Sequence, residues 1–277
     1  MATYDDFEGV YFTIQSLRLH HPITRTENVE FLVIDNNPVS SHGKMVKQFL
    51  KEKVPNSKYI PYLENQSTIS RWQIIKHSSF DYILILDCHV LLEPGAIDEL
   101  ISYYEKNPKT KNLIQGPMYD ESFEWRSSHQ KEVWENQFYG IFDISKEQLE
   151  KEKPFEIPMM GLGMFSFRKD SFPEVNEDFK EFGGEEWYLH EKFRRNGGKT
   201  ICHPKLSWIH RFYRVDGVPY KHTFEARLWN YVIGWGELYE WDHPMIKAMY
   251  EYFIKIEPEE TERIFLLAKE YHKNKTK

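Results

Sequence analysis

Three groups of residues in this chain have types and spacings that could do chemistry. The first is Asp87-Cys88-His89, placed directly after the apolar run Tyr82-Ile83-Leu84-Ile85-Leu86. An Asp and a His two residues apart in a turn can face one cation, giving one hard oxygen and one imidazole ligand of the kind Mn2+ accepts. A divalent ion held there would stabilise negative charge growing on a departing diphosphate. The bland alternative is an Asp at a strand end that caps the next helix. The second group is Phe182-Gly183-Gly184-Glu185-Glu186-Trp187, where two glycines admit close backbone approach before two acids. Either carboxylate could contact substrate hydroxyls or act as a general base, although acids in a first helical turn are also ordinary helix chemistry. The third is Ser207-Trp208-Ile209-His210-Arg211, with Arg214 close behind. A lone His on an apolar strand is more often a core residue than a ligand, but a metal-phosphate site needs a third ligand and nearby cations, and this segment supplies both.

The surrounding patterns place these groups on a sheet. Phe7, Val10, Tyr11, Ile14 and Leu17 recur at helical spacing, with Asp6 available as N-cap. The run Val29 to Ile34 reads as a buried strand breaking at Asp35, and helical patterns follow at about 43–52 and 68–78, with an extended piece near Lys58 to Pro61 between them. Tyr82 to Leu86 is the clearest buried strand, after which Pro94 stands at a candidate first helical position. Strand and helix alternate, which implies a Rossmann-like α/β fold: a mostly parallel, doubly wound sheet flanked by helices, with ligands bound at the carboxyl ends of its strands. Asp35 and Asp87 both fall at such ends. Residues 118–156 are polar and aromatic without a clean period, consistent with an excursion over the sheet. There Trp125, Trp134 and Tyr139 could line an acceptor groove or anchor the excursion. Order returns at Met159 to Phe167, in a helix from about Gly184 to Asn196, and in short strands at Thr200 to His203 and Ser207 to Phe212; two or three helices follow from 221.

Composition removes several function classes. The formal charge of −7 supplies no basic field for wrapping nucleic acid or an anionic membrane. Cys88 and Cys202 are too few for a disulfide framework and lack zinc-site spacing, which suits a reducing compartment. With no run of about eighteen apolar residues and no signal-peptide pattern, the expectation is a cytoplasmic protein without a membrane partner.

Five landmarks stand in register: Leu86-Asp87-Cys88-His89, Met160 to Phe172, Phe182-Gly183-Gly184-Glu185-Glu186, Gly197-Gly198 and His210-Arg211-Phe212. Together they resemble the catalytic domain of polypeptide N-acetylgalactosaminyltransferases and related family-two glycosyltransferases of the GT-A type, over roughly residues 3–215. The resemblance implies that Asp87 and His89 form an Asp-x-His metal motif and that His210 is the third ligand, for Mn2+ or Mg2+. It implies that Thr3, Tyr4 and Asp5 hold the nucleoside, that Asp35 reads the base, usually uracil, and that Gly161 to Gly163 floor the donor sugar whose hydroxyls Glu185 touches. Arg211, Arg214 and Tyr220 become candidates for the pyrophosphate. The Glu185-Glu186 pair also resembles the paired acids of inverting relatives, where Glu186 would deprotonate the acceptor; the closer match is to retaining enzymes. The mammalian-type enzymes carry a membrane anchor, several disulfides and a C-terminal lectin domain, which this sequence lacks, so secretory protein O-glycosylation is not expected.

The expected organisation is a GT-A catalytic domain over 1–215, with a nucleotide-sugar half at about 1–117 and an acceptor half at about 118–215, and a helical extension or lid over 216–277. The expected activity is metal-dependent transfer from a UDP-sugar to an acceptor hydroxyl, with retention favoured. Two rivals are a nucleotidyltransferase, which needs a basic loop near the first strand where Thr3 to Gly9 is acidic, and a catalytically silent nucleotide-sugar-binding module.

Overall fold

Residues 1–64, 68–214 and 217–275 are described by the structure, a computed structural model. The chain opens on strand β1 (Ala2–Thr3), then turns through Asp6, whose carboxylate accepts the Gly9 N–H at the start of α1 (Phe7–His20). Val10, Ile14 and Leu17 are the buried stripe of that helix. Strand β2 (Phe31–Asp35) is buried along its whole length, as its continuous apolar run requires. Helix α2 (Ser41–Lys53), capped by Ser40, returns the chain to β3 (Ser57–Pro61), and β1, β2 and β3 pair in parallel.

The helix expected over 68–78 begins as a 3-10 turn (Thr68–Trp72) and continues as α3 (Gln73–His77). Strand β4 (Tyr82–Leu86) follows, then β5 (Val90–Leu92) and α4 (Ala96–Lys106). Gly95, at φ 88°, occupies the N-cap of α4, so Pro94 stands before the cap and not at the first helical position. Strand β6 (Leu113–Gln115) completes this half.

The excursion over 118–156 contains more regular structure than its sequence pattern suggests: β7 (Met118–Tyr119), β8 (Trp125–Ser127), β9 (His129–Glu135), β10 (Phe138–Asp143), α5 (Lys146–Glu150) and β11 (Phe155–Glu156). β9 and β10 form a hairpin whose turn residues Asn136 and Gln137 both have positive φ (49° and 66°). Trp134, on β9, packs against Tyr231, Trp235, Tyr252 and Phe253, with ring centroids between 4.8 and 5.4 Å. It anchors the hairpin to the helices that follow.

Strand β12 (Met164–Arg168), α6 (Glu186–Arg195), β13 (Thr200–Cys202) and β14 (Trp208–His210) lead into α7 (Phe224–Leu238), α8 (Pro244–Phe253) and α9 (Pro258–Lys275). One sheet has the order β3-β2-β1 and a second β11-β13-β6-β12-β4, and an isolated bridge between Ala2 and Asp87 joins them edge to edge. β12 and β11 run against their neighbours and the other strands share one direction, so the sheet is mostly parallel, as expected. A smaller sheet, β5-β14-β7-β8, stands at its carboxyl edge. Helix α7 buries Tyr231, Val232 and Trp235 in the same apolar core as Ile34, Ile85 and Phe165. The boundary expected between residues 215 and 216 lies outside the described residues. No helix among the described residues is long and apolar enough to cross a membrane.

Candidate active site

Two strand pairings assemble the site. At the end of β4, the Asp87 N–H donates to Gly163 O at 2.9 Å, which fixes the carboxylate where β1 meets β4. The chain then enters β5, which is antiparallel to β14 with His210 opposite Val90, while the Arg211 N–H donates to His89 O at 3.2 Å. That register brings His210 to His89 across the sequence: their Nε2 atoms lie 3.1 Å apart, and His210 Nε2 is 3.6 Å from Asp87 Oδ2.

This donor set fits a divalent ion. Two ligand atoms at right angles around a cation about 2.1 Å from each would lie about 3 Å apart, close to the separation of the two imidazole nitrogens. Burial would raise the Asp87 carboxyl, but the Arg71 charge and then the hydrogen bond from His210 hold it well below the usual carboxylate range. Burial lowers His89, favouring the neutral ring that a metal needs. A second cluster, Asp6, Cys88 and His89, is also close enough to share an ion. It suits one poorly, because Asp6 already receives Arg211 and the Gly9 N–H, and burial pushes the Cys88 thiol up, away from the thiolate that binds metals.

Around the trio opens a cleft of about 380 Å³. Its floor is Gly161 to Gly163. A Cβ on Gly163 would sit 2.9 Å from the Trp208 ring and 3.4 Å from Asp87 Oδ2, and Trp208 is itself held by its Nε1–H bond to Gly116 O at 2.8 Å. Thr3 and Tyr4 line one wall, and Tyr220 stands edge-on to Tyr4 with centroids 6.4 Å apart. Burial pushes the Tyr220 hydroxyl up to about 12, so it remains a donor. Arg211 and Arg214 also line the cleft. Arg211 Nη2 lies 2.8 and 2.9 Å from the Asp6 oxygens, and Arg214 Nη2 lies 3.1 and 3.2 Å from the two His89 nitrogens.

Gly183 and Gly184, at φ 99° and 94°, turn the chain into α6. Glu186 faces the cleft, while Glu185 lies behind it, 1% exposed, with Oε2 lacking a protein partner among the described residues. Burial raises both carboxyls, and the charge of Glu186 raises Glu185 further. Asp5 and Asp35 are likewise outside the described lining. Asp5 accepts from Asn37 Nδ2 at 3.0 Å, and Asp35 accepts the Tyr59 hydroxyl at 2.6 Å and the Asn37 N–H at 2.9 Å. Asn36 reaches the cleft instead.

Two side chains that contact the candidate ligands escaped the sequence reading as site residues. Arg71, in the 3-10 turn, places Nη2 3.2 Å from Asp87 Oδ1 and donates from Nη1 to Leu162 O at 3.1 Å. Nothing in its spacing separates it from a solvent-facing helical Arg. Asp6 was legible as an N-cap, but its bonds to His89 and Arg211 depend on long-range pairing.

A family model described as Glycosyl transferase family 2 matches residues 1–175, which include Asp87 and His89 and stop before Glu185 and His210. No curated protein matches the chain. Similar solved structures include GalNAc-T7 with UDP, GalNAc and Mn2+, at 17% identity and TM-score 0.67, covering 91% of this chain and 48% of that one. The mannosyltransferase PcManGT from Pyrobaculum calidifontis, in complex with GDP-Man and Mn2+, is 11% identical with TM-score 0.56, covering 96% and 72%. S. aureus TarS 1-349 is 12% identical with TM-score 0.50, covering 76% and 58%. The chain thus spans about half the length of GalNAc-T7, and at these identities the likeness is one of fold, the GT-A fold.

Proposed function

The chain belongs to glycosyl transferase family 2, and from that membership we propose that it moves a sugar from a UDP-sugar to an acceptor hydroxyl with a divalent ion held by Asp87, His89 and His210. The observation behind this reading is the convergence of those three side chains at the carboxyl edge of the sheet. The two imidazoles favour Mn2+ over Mg2+, which prefers oxygen ligands. A divalent ion held by these residues would supply positive charge to offset that on a nucleoside diphosphate leaving group. Arg214 and Arg211 supply guanidinium donors to the phosphate oxygens, Thr3, Tyr4 and Asn36 receive the nucleoside, and Gly161 to Gly163 leave room for the sugar. Arg71 holds Asp87 ionised and aimed into the cleft. The acceptor binds against the β7–β10 region, residues 1–215 act as the catalytic unit, and α7–α9 form the helical extension, with α7 packed into the same core and Tyr220 reaching the cleft.

As the acceptor oxygen bonds to C1, its proton leaves. In the retaining reading, which the family resemblance favours, the departing phosphate oxygen takes it. Glu186 favours an inverting reading, since a cleft-facing carboxylate with raised proton affinity suits a general base. The test is a donor panel of UDP-Glc, UDP-GlcNAc, UDP-Gal, UDP-GalNAc and GDP-Man, scored by free nucleotide release with and without Mn2+. Mn2+-dependent release from a UDP-sugar, lost in Asp87→Ala, is expected; metal-independent release that survives the substitution would contradict the assignment. The anomeric configuration of the product decides the stereochemistry.

A further inference from the structure

Asp6 stands outside the three residues assigned to the cation, yet its carboxylate is the most heavily engaged group in the neighbourhood. It is 6% exposed. Oδ1 accepts the Gly9 N–H at 3.0 Å, and both oxygens lie within 2.9 Å of Arg211 Nη2. Oδ2 lies 3.0 Å from His89 Nδ1. A Cβ on Gly9 would come within 2.4 Å of Cys88 O, so only glycine lets the first turn of α1 sit this close to the 87–89 turn and deliver Asp6 to the ring. A carboxylate paired with a guanidinium and capping a backbone amide is acceptor-only. The proton between Asp6 and His89 must therefore come from the imidazole Nδ1.

We propose that Asp6 is the positioning residue of the metal site: it fixes His89 as the Nδ1–H tautomer and so aims the Nε2 lone pair at the space shared with His210 Nε2 and Asp87 Oδ2. Metal-ligating histidines commonly donate their other N–H to such a partner, and loss of that partner weakens metal affinity about 10–100-fold. Asp6 differs in its contacts from Arg71, which orients the carboxylate ligand; Asp6 orients an imidazole. The helix cap and the ligand tautomer thereby depend on one side chain, which couples the start of α1 to the metal site.

This inference rests on the metal reading above, and the test separates the two. Asp6→Asn keeps a good helix cap but brings an amide N–H that can turn His89 to the Nε2–H tautomer, closing the lone pair. Histidine 15N NMR on the metal-free protein, with His89 assigned by its absence in His89→Gln, reads the tautomer directly. The wild type should show Nδ1–H at His89 and Asp6→Asn should lose it. In parallel, Mn2+ titration followed by EPR, without nucleotide, should give a Kd raised about 10–100-fold in Asp6→Asn. If Asp6→Asn does not fold, Asp6→Ser, which also caps helices, replaces it. An Nε2–H tautomer in the wild type, or a variant Kd within about threefold of wild type, overturns the proposal. Failure of the wild type to bind Mn2+ at all would instead sink the metal reading, with the tautomer result still standing as the test of Asp6.

Discussion

Replacing Arg71 by Met removes a guanidinium whose side chain is 9% exposed and leaves Asp87 without its nearest cation, 3.2 Å away. Breaking a buried pair by deleting one partner costs about 3–5 kcal/mol. The Asp87 side chain is 26% exposed, so partial hydration puts the expected loss near the lower end, about 3 kcal/mol. For a chain of this size that corresponds to a fall in Tm of roughly 6–12 °C. The loss should depend on metal. A cation held between Asp87, His89 and His210 would supply positive charge near where the guanidinium was, so saturating Mn2+ with UDP should recover part of the deficit, and the Mn2+-induced rise in Tm should be larger in Arg71→Met than in wild type. Differential scanning fluorimetry with and without Mn2+ and UDP is sufficient. An unchanged Tm would refute the buried pairing, and a deficit identical with and without metal would refute the electrostatic link between Arg71 and the ion.

Other perturbations probe different parts of the account. Burial raises Glu185 above its unfolded value, so its contribution is present below the ordinary carboxylate range and is lost as pH rises toward the folded value. Glu185→Gln should therefore gain stability relative to wild type as pH increases through that window, by up to about 1.4 kcal/mol per pH unit, in urea melts from pH 4 to 8. His190 is lowered by burial to about 3, so its contribution is present above about 6.5 and is lost on acidification; in Glu185→Gln, where the opposing carboxyl no longer titrates, Tm should fall steadily from pH 6.5 toward 4. Gly163→Ala forces a Cβ against Trp208 and toward Asp87, which should cost about 1–3 kcal/mol in melts and weaken Mn2+ binding with it. Trp134→Ala should destabilise by about 3 kcal/mol, the low end for a ring only partly buried, while leaving Mn2+ affinity in the folded fraction unchanged, because the ring packs on Tyr231, Trp235, Tyr252 and Phe253 and on none of the three candidate ligands.

The candidate metal ligands could be picked out because strand ends are easily found: the run before Asp87 breaks where β4 ends, and His210 closes a short apolar strand that the structure keeps as β14. The hairpin of β9 and β10 was hidden because few of its residues are buried, so no alternation develops, and because its turn is Asn136-Gln137 in place of a glycine-bearing pair. Asp35 illustrates a different limit. Position at a strand end says nothing about which neighbour claims the carboxylate, and Tyr59 on the adjacent strand takes it, leaving Asn36 at the cleft. Arg71 has the spacing of any solvent-facing Arg, since only its long-range bonds to Leu162 O and Asp87 Oδ1 show why it is buried.

Crystals grown with Mn2+ and UDP, measured at the manganese absorption edge, would locate the ion relative to the three candidate ligands. One anomalous peak per chain is expected, within coordination distance of Asp87 Oδ2, His89 Nε2 and His210 Nε2 together and touching the diphosphate. A peak elsewhere, or bound UDP with no manganese at these three atoms, would contradict the metal assignment.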